Sequence, residues 1–187
     1  MDTATEGNKM NCITIADDAE YIIEEGSDFY GIIGDCKPTI IVRGTASPTI
    51  CVWETSQPLI STYGECEPRI ETYEESKAFI ATFEESEPTI ETYGSTRPWI
   101  DTYGSSQAWI YTYHSSEPHI GTHGFTQPGI DTCGSSQPEI STFGTSKPQI
   151  YTYGQSHPTI KTHNNSQPTI NTHDDDSSYT INGKVSA

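Results

Sequence analysis

Isoleucine occupies every tenth position without exception from Ile40 to Ile170, fourteen times in succession. No other feature limits the possible folds so tightly, because a fixed period is the mark of a repeat architecture. Two residues after each isoleucine stands threonine, from Thr62 to Thr172, with Val42 and Val52 as the exceptions. Valine is nearly isosteric with threonine, so shape is expected to select that site. Two residues before each isoleucine stands proline, with Ala78 and Ala108 as substitutes, and every proline of the chain falls there. Earlier still comes a small residue such as Ser56, Ser106 or Ser136, and four after the isoleucine glycine predominates, as in Gly64, Gly94 and Gly154.

The restricted sites recur every second residue, which is the alternation of extended chain and not of helix. Recurrent β-branched residues, proline and glycine also exclude helix. The expected fold is all-β: a single-domain parallel β-solenoid (β-helix) with about ten residues per coil, its handedness left open. Five positions, Ser, Pro, Ile, Thr and Gly, would point into a narrow core with isoleucine as the main apolar filler. One coil cannot bury its own faces, but a stack buries a continuous column. Fourteen coils at about 4.8 Å would make a rod of roughly 65 to 70 Å. Proline belongs at the entrance to the strand Ile-x-Thr-Tyr and glycine at the corner that follows.

The repeat spans 35–174. Residues 1–34 lack it, yet Cys12-Ile13-Thr14-Ile15 and Tyr21-Ile22-Ile23 are strand-like and are expected to form an N-terminal cap with an irregular first coil. In 175–187, Asn182-Gly183 between apolar residues is a hairpin signal, expected to cover the last open coil. Units such as Thr-Tyr-Gly-Ser-Ser-Gln-Pro-Trp-Ile-Asp resemble the short tandem-repeat β-solenoid proteins of bacteria and phages. The resemblance implies an architecture and no activity. Acidic pentapeptide-repeat solenoids, some of them nucleic-acid mimics, are a looser analogy, since their period-five Leu or Phe is missing here.

Hydrophobic residues make up only 32% of the 187 and charged residues 19%, so the order of residues, not their proportion, argues for a folded chain. A net charge of −17 opposes direct binding to nucleic acid or to an anionic membrane. The opening Met1-Asp2-Thr3-Ala4-Thr5-Glu6-Gly7 lacks the basic and apolar regions of a secretory signal, and no apolar run approaches twenty residues. Cytoplasmic residence is the expectation, with delivery on a phage particle or an extracellular location as alternatives. Cys12, Cys36, Cys51, Cys66 and Cys133 are odd in number and lack CxxC spacing, so they read as reduced thiols.

No GxSxG, HExxH, Walker-type loop or GxGxxG is present, and each apparent Ser/His/Asp grouping is part of the repeat. The chain is expected not to be an enzyme and to carry no cofactor or metal. Histidines 123, 163 and 173 share the position after the threonine and read as substitute aromatics. A metal shared between His163 and His173, one coil apart, is the alternative. That position holds an aromatic in nine repeats, among them Tyr63, Tyr73, Tyr93, Tyr103 and Tyr113, and should form an outward ladder or a docking surface for a partner or sugar. Trp99 and Trp109, expected as stacked neighbours, extend that aromatic surface.

Between 54 and 91 lie ten carboxylates, Glu54, Glu65, Glu67, Glu71, Glu74, Glu75, Glu84, Glu85, Glu87 and Glu91, against Arg69 and Lys77. With ten residues per coil, Glu65, Glu75 and Glu85 would form one outward row. The function expected is a non-enzymatic acidic scaffold whose negative face engages a basic protein surface, such as that of a nucleic-acid-binding protein, as a nucleic-acid mimic or inhibitor. The alternatives are a passive structural rod or fibre and an ice-binding or adhesive repeat protein.

Overall fold

The computed structural model describes residues 12–174, 176–182 and 184–186. Three strands precede the repeats: β1 (Cys12–Ile15), β2 (Glu20–Ile23) and β3 (Phe29–Ile32). Each repeat then lays down one four-residue strand, from β4 (Thr39–Val42) to β17 (Thr169–Thr172), followed by β18 (Tyr179–Ile181) and β19 (Lys184–Ser186). The odd-numbered strands β1 to β17 form one parallel sheet, called here the first. The even-numbered strands form the second, closed by an antiparallel pairing of β18 with β19 that reverses through Asn182, where the hairpin was expected. The fold is a β-solenoid, and β1 to β3 are its opening rungs.

Ladder partners lie twenty residues apart: Ile100 pairs with Ile80 and Ile120, and Ile110 with Ile90 and Ile130. The unit repeating in sequence is therefore half of the unit repeating in space, and the expected ten residues per coil become ten per half-coil. Chain length explains this. A ten-residue turn offers about 33 Å of extended backbone, while two four-residue strands and two crossings of the roughly 10 Å between packed sheets need about 46 Å. Twenty residues suffice. Fourteen repeats accordingly build seven turns, about 34 Å of column, half the length expected from single-repeat turns.

Inward parity is as the alternation implies. Every isoleucine from Ile40 to Ile160 is buried, as are the threonines from Thr62 to Thr152. The prolines and small residues before them are also inside as far as Ser156 and Pro158. Glycine is the exception among the five expected core positions. It lies at the corner, half to fully exposed, with φ between +65° and +74° at Gly44, Gly64, Gly94, Gly104, Gly124, Gly134, Gly144 and Gly154. A left-handed residue lets the chain leave one sheet for the other. Glu54, Glu74, Glu84, His114 and Asn164 hold the same conformation with φ between 58° and 61°.

The inner hydroxyls are wired between turns. Thr62 Oγ1 donates to Ser86 Oγ, Thr82 to Ser106, Thr92 to Ser116, Thr112 to Ser136 and Thr122 to Ser146, each at 3.0–3.1 Å and twenty-four residues along. A core this polar is tolerable because its hydroxyls meet each other. The threonine site is thus selected for its hydroxyl as well as its shape, which corrects the isosteric reading of Val42 and Val52.

Candidate functional site

Two sheets divide the surface in a way the ten-residue period conceals. Outward columns run in steps of twenty, so Glu65 stacks with Glu85, while Glu75 lies at the opposite corner. The expected single row of Glu65, Glu75 and Glu85 is therefore replaced by a pair and an outlier. Trp99 and Trp109 likewise belong to different sheets. Trp99 lies between Phe79 and His119, and Trp109 between Thr89 and Gly129.

The ten carboxylates fall into three environments. Glu54 and Glu84 turn back on the column, where Glu54 Oε2 accepts from Gly34 N at 2.9 Å and Glu84 Oε2 from Gly64 N at 2.8 Å. These acids cap corner amides. Glu71 and Glu91 enter a network on the first sheet: Arg69 contacts Glu71 at 2.6 Å and Glu91 at 2.9 Å, Tyr73 donates to Glu71 at 2.6 Å, and Tyr93 donates to Glu91. Cys51 Sγ also donates to Glu71, at 3.2 Å. Burial acts to raise the Glu71 carboxyl, but the hydrogen bonds from Tyr73, Cys51 and Arg69 outweigh it and hold the group below its usual value. Burial and the bond to Glu71 push the Cys51 thiol strongly upward.

The third group keeps its charge toward solvent. Glu65, Glu67, Glu85 and Glu87 share one corner and are all exposed, with Glu74 and Glu75 at the other corner. The four line an open surface depression with Ser105 and Gln107, and Gln107 Nε2 donates to Glu87 at 3.3 Å. Among the described residues none of the four makes an ion pair. Ladder spacing sets the backbones of successive turns about 4.8 Å apart.

The aromatic residues form two columns. On the second sheet Tyr63, Phe83, Tyr103, His123, Phe143 and His163 stack with centroids 4.6–5.1 Å apart. On the first, Trp53, Tyr73, Tyr93 and Tyr113 stack at 5.0–6.0 Å, and Tyr153 stacks on His173 at 4.7 Å. His163 and His173 are thus rungs of different columns, which overturns their expected adjacency. No cluster of three or more His, Cys, Asp or Glu suited to a metal occurs among the described residues.

Sequence reasoning missed two features of the second sheet. Leu59, Phe79 and Trp99 occupy consecutive rungs at 41%, 40% and 49% exposure, an apolar ridge visible only in steps of twenty. Beside it, Asp101 leans over Gly121, where a Cβ would meet Asp101 Oδ1 at 2.1 Å. Trp99 Nε1 and Tyr103 Oη donate to Asp101 Oδ2 at 3.1 and 3.3 Å, and His123 Nε2 lies 3.4 Å from Oδ1. This constellation borders a hollow of about 250 Å³. A glycine paired with a bulky residue twenty positions away was the available signal.

The recurring threonines from Thr62 to Thr152 lie inside, so they do not form an outward array of the kind an ice-binding face requires. No helix of the described residues is long and apolar enough to cross a membrane. No family model, curated protein or solved structure matches this chain.

Proposed function

We propose that the chain is a non-enzymatic acidic binding scaffold that engages a basic protein surface, its carboxylates standing where phosphates would in a nucleic acid. The observation that carries this reading is the corner of Glu65, Glu67, Glu85 and Glu87. Four exposed carboxylates are held there at one corner on successive turns, and among the described residues none of them makes an ion pair, so their like charges repel uncompensated. The contrast with Glu71 and Glu91, which share an ion pair with Arg69, supports a role in recognition. A charged row on a rigid column also steers association with a basic partner.

The test compares two variants of equal charge. In one, Glu65, Glu67, Glu85 and Glu87 become glutamine. In the other, Glu20 and Glu25 become glutamine, and Asp35 and Asp176 become asparagine. Binding of a labelled arginine-rich peptide is followed by fluorescence anisotropy across a salt titration. The corner variant should lose most of the affinity and the salt dependence while the control keeps both. Equal losses in the two would reduce the corner to a solubility device and favour the passive rod.

A further inference from the structure

The aromatic column of the first sheet lacks a ring at one rung, where Cys133 stands between Tyr113 and Tyr153. Tyr113 and Tyr153 belong to rungs separated only by that of Cys133, because Thr112, Thr132 and Thr152 pair in unbroken register. Cys133 N donates to Thr112 O, and Tyr153 N to Thr132 O, both at 2.8 Å. Backbone spacing is therefore regular, and the two tyrosines stand about 9.6 Å apart along the column. A thiol ends at its γ atom, whereas the rings above and below reach several bonds further. At the other inner rungs of both columns each ring stacks on the rings before and after it. At the Cys133 rung no ring of the column stands between Tyr113 and Tyr153.

The neighbours define the rest of the slot. Gly129, on the same strand as Asp131, has no side chain, and its space is taken by Trp109, whose Cε3 would lie 2.5 Å from an added Cβ. Tyr111 lies alongside Tyr113, with planes 7° apart, and Tyr151 leans on His173 at 5.8 Å. Beside Cys133 stands Asp131, whose Oδ1 is buried without a hydrogen-bond partner. Burial pushes the Asp131 carboxyl up, partly offset by His173. Burial likewise raises the phenols of Tyr113 and Tyr153, and the charges of Asp131 and Cys133 add to both shifts, so these four groups share one neighbourhood.

We infer that the Cys133 rung is a binding slot for a planar heteroaromatic cation bearing an N–H donor, which completes the stack between Tyr113 and Tyr153 and offers its N–H to the Asp131 carboxylate. Two opposed ring faces select a flat ligand over a puckered one. The negative faces of the tyrosines, the aspartate and the overall charge select a cation. The inference is independent of the acidic corner, which lies elsewhere on the column.

Proflavine, a flat cation with N–H groups, is a suitable probe, titrated at near-physiological salt and followed by its absorbance and fluorescence. Cys133→Phe supplies the ring that the repeat places at this position, so it should keep the fold, raise Tm and close the slot. Cys133→Ser keeps the slot open. One proflavine should bind per chain, with affinity kept in Cys133→Ser and lowered about tenfold or more in Cys133→Phe, as loss of one stacking site implies. All three proteins have the same acidic surface, so binding by charge alone would survive in each. Equal affinity of Cys133→Phe and the parent, equal loss in both variants, or no saturable one-to-one binding would each overturn the inference.

Discussion

Val52 stands where other repeats place a threonine hydroxyl against the serine twenty-four residues on, and the serine it faces, Ser76, has a buried Oγ without a hydrogen-bond partner. Thr82 at the equivalent position donates to Ser106 at 3.0 Å. Val52→Thr should therefore stabilise the protein by about 1 kcal/mol, and Thr82→Val should cost about 1–2 kcal/mol. Urea denaturation of both variants checks the pair. A destabilised Val52→Thr would mean that the inner hydroxyls are not wired as described.

Ile100 is fully buried between Ile80 and Ile120. Ile100→Asp should cost several kcal/mol and broaden or abolish cooperative melting, since the inner column offers an aspartate no cation. A melting curve like that of the parent would contradict the inward assignment.

Corner residues in the left-handed conformation carry strain that glycine relieves. Glu74 has φ of 61° and makes no side-chain hydrogen bond among the described residues, so Glu74→Gly should stabilise by up to about 1 kcal/mol. Glu84 has φ of 60° but accepts from Gly64 N, so Glu84→Gly should be neutral or destabilising. Comparing the two by denaturation separates backbone strain from capping. A gain for Glu84→Gly as large as that for Glu74→Gly would show that the cap contributes nothing.

Glu65 and Glu85 are neighbours across one turn of the column, and Glu75 is remote from both. A double-mutant cycle of Glu65→Gln with Glu85→Gln at low salt should show coupling of about a few tenths of a kcal/mol, and the Glu65/Glu75 cycle none. The coupling should fade at high salt. Equal coupling in both cycles would contradict the twenty-residue turn.

Burial, with the carboxylate each donates to, raises the Tyr73 and Tyr93 phenols strongly. The folded state thus holds these protons more tightly than the unfolded chain. The stability this contributes is complete below the ordinary tyrosine value of about 10 and is lost as pH rises through the folded values. Ultraviolet titration should find Tyr73 and Tyr93 the last tyrosines to ionise, and Glu71→Gln should bring Tyr73 back toward the ordinary range. An unchanged Tyr73 titration in that variant would exclude Glu71 as a cause.

The inward alternation, the proline entrance, the glycine corner and the closing hairpin were legible because each is set by local backbone chemistry. The turn length was not, since pairing in steps of ten or twenty superimposes the same Ile, Thr and Pro. Beyond the length of chain a turn needs, the variable outward residues distinguish the two, and they do so in pairs: Arg69 with Glu91, Cys51 with Glu71, Trp109 over Gly129. The acidic positions were legible as charge and illegible as function. Glu54 and Glu84 serve backbone amides, Glu71 and Glu91 serve an arginine and phenols, and sequence distance does not separate these from the open corner of Glu65, Glu67, Glu85 and Glu87.

Alternation between two sheets also constrains how such a chain can lengthen or shorten. Loss of one decapeptide would leave the buried column intact, because every repeat offers the same inner residues. It would nevertheless move all later residues to the opposite side of the molecule, parting Tyr103 from His123 and Glu65 from Glu85 whenever the break fell between them. Removing or duplicating two decapeptides together preserves every outward neighbour beyond the joint. Unequal crossing-over within the gene therefore has a silent step of twenty codons and a scrambling step of ten, and a surface kept for binding would be inherited through the former.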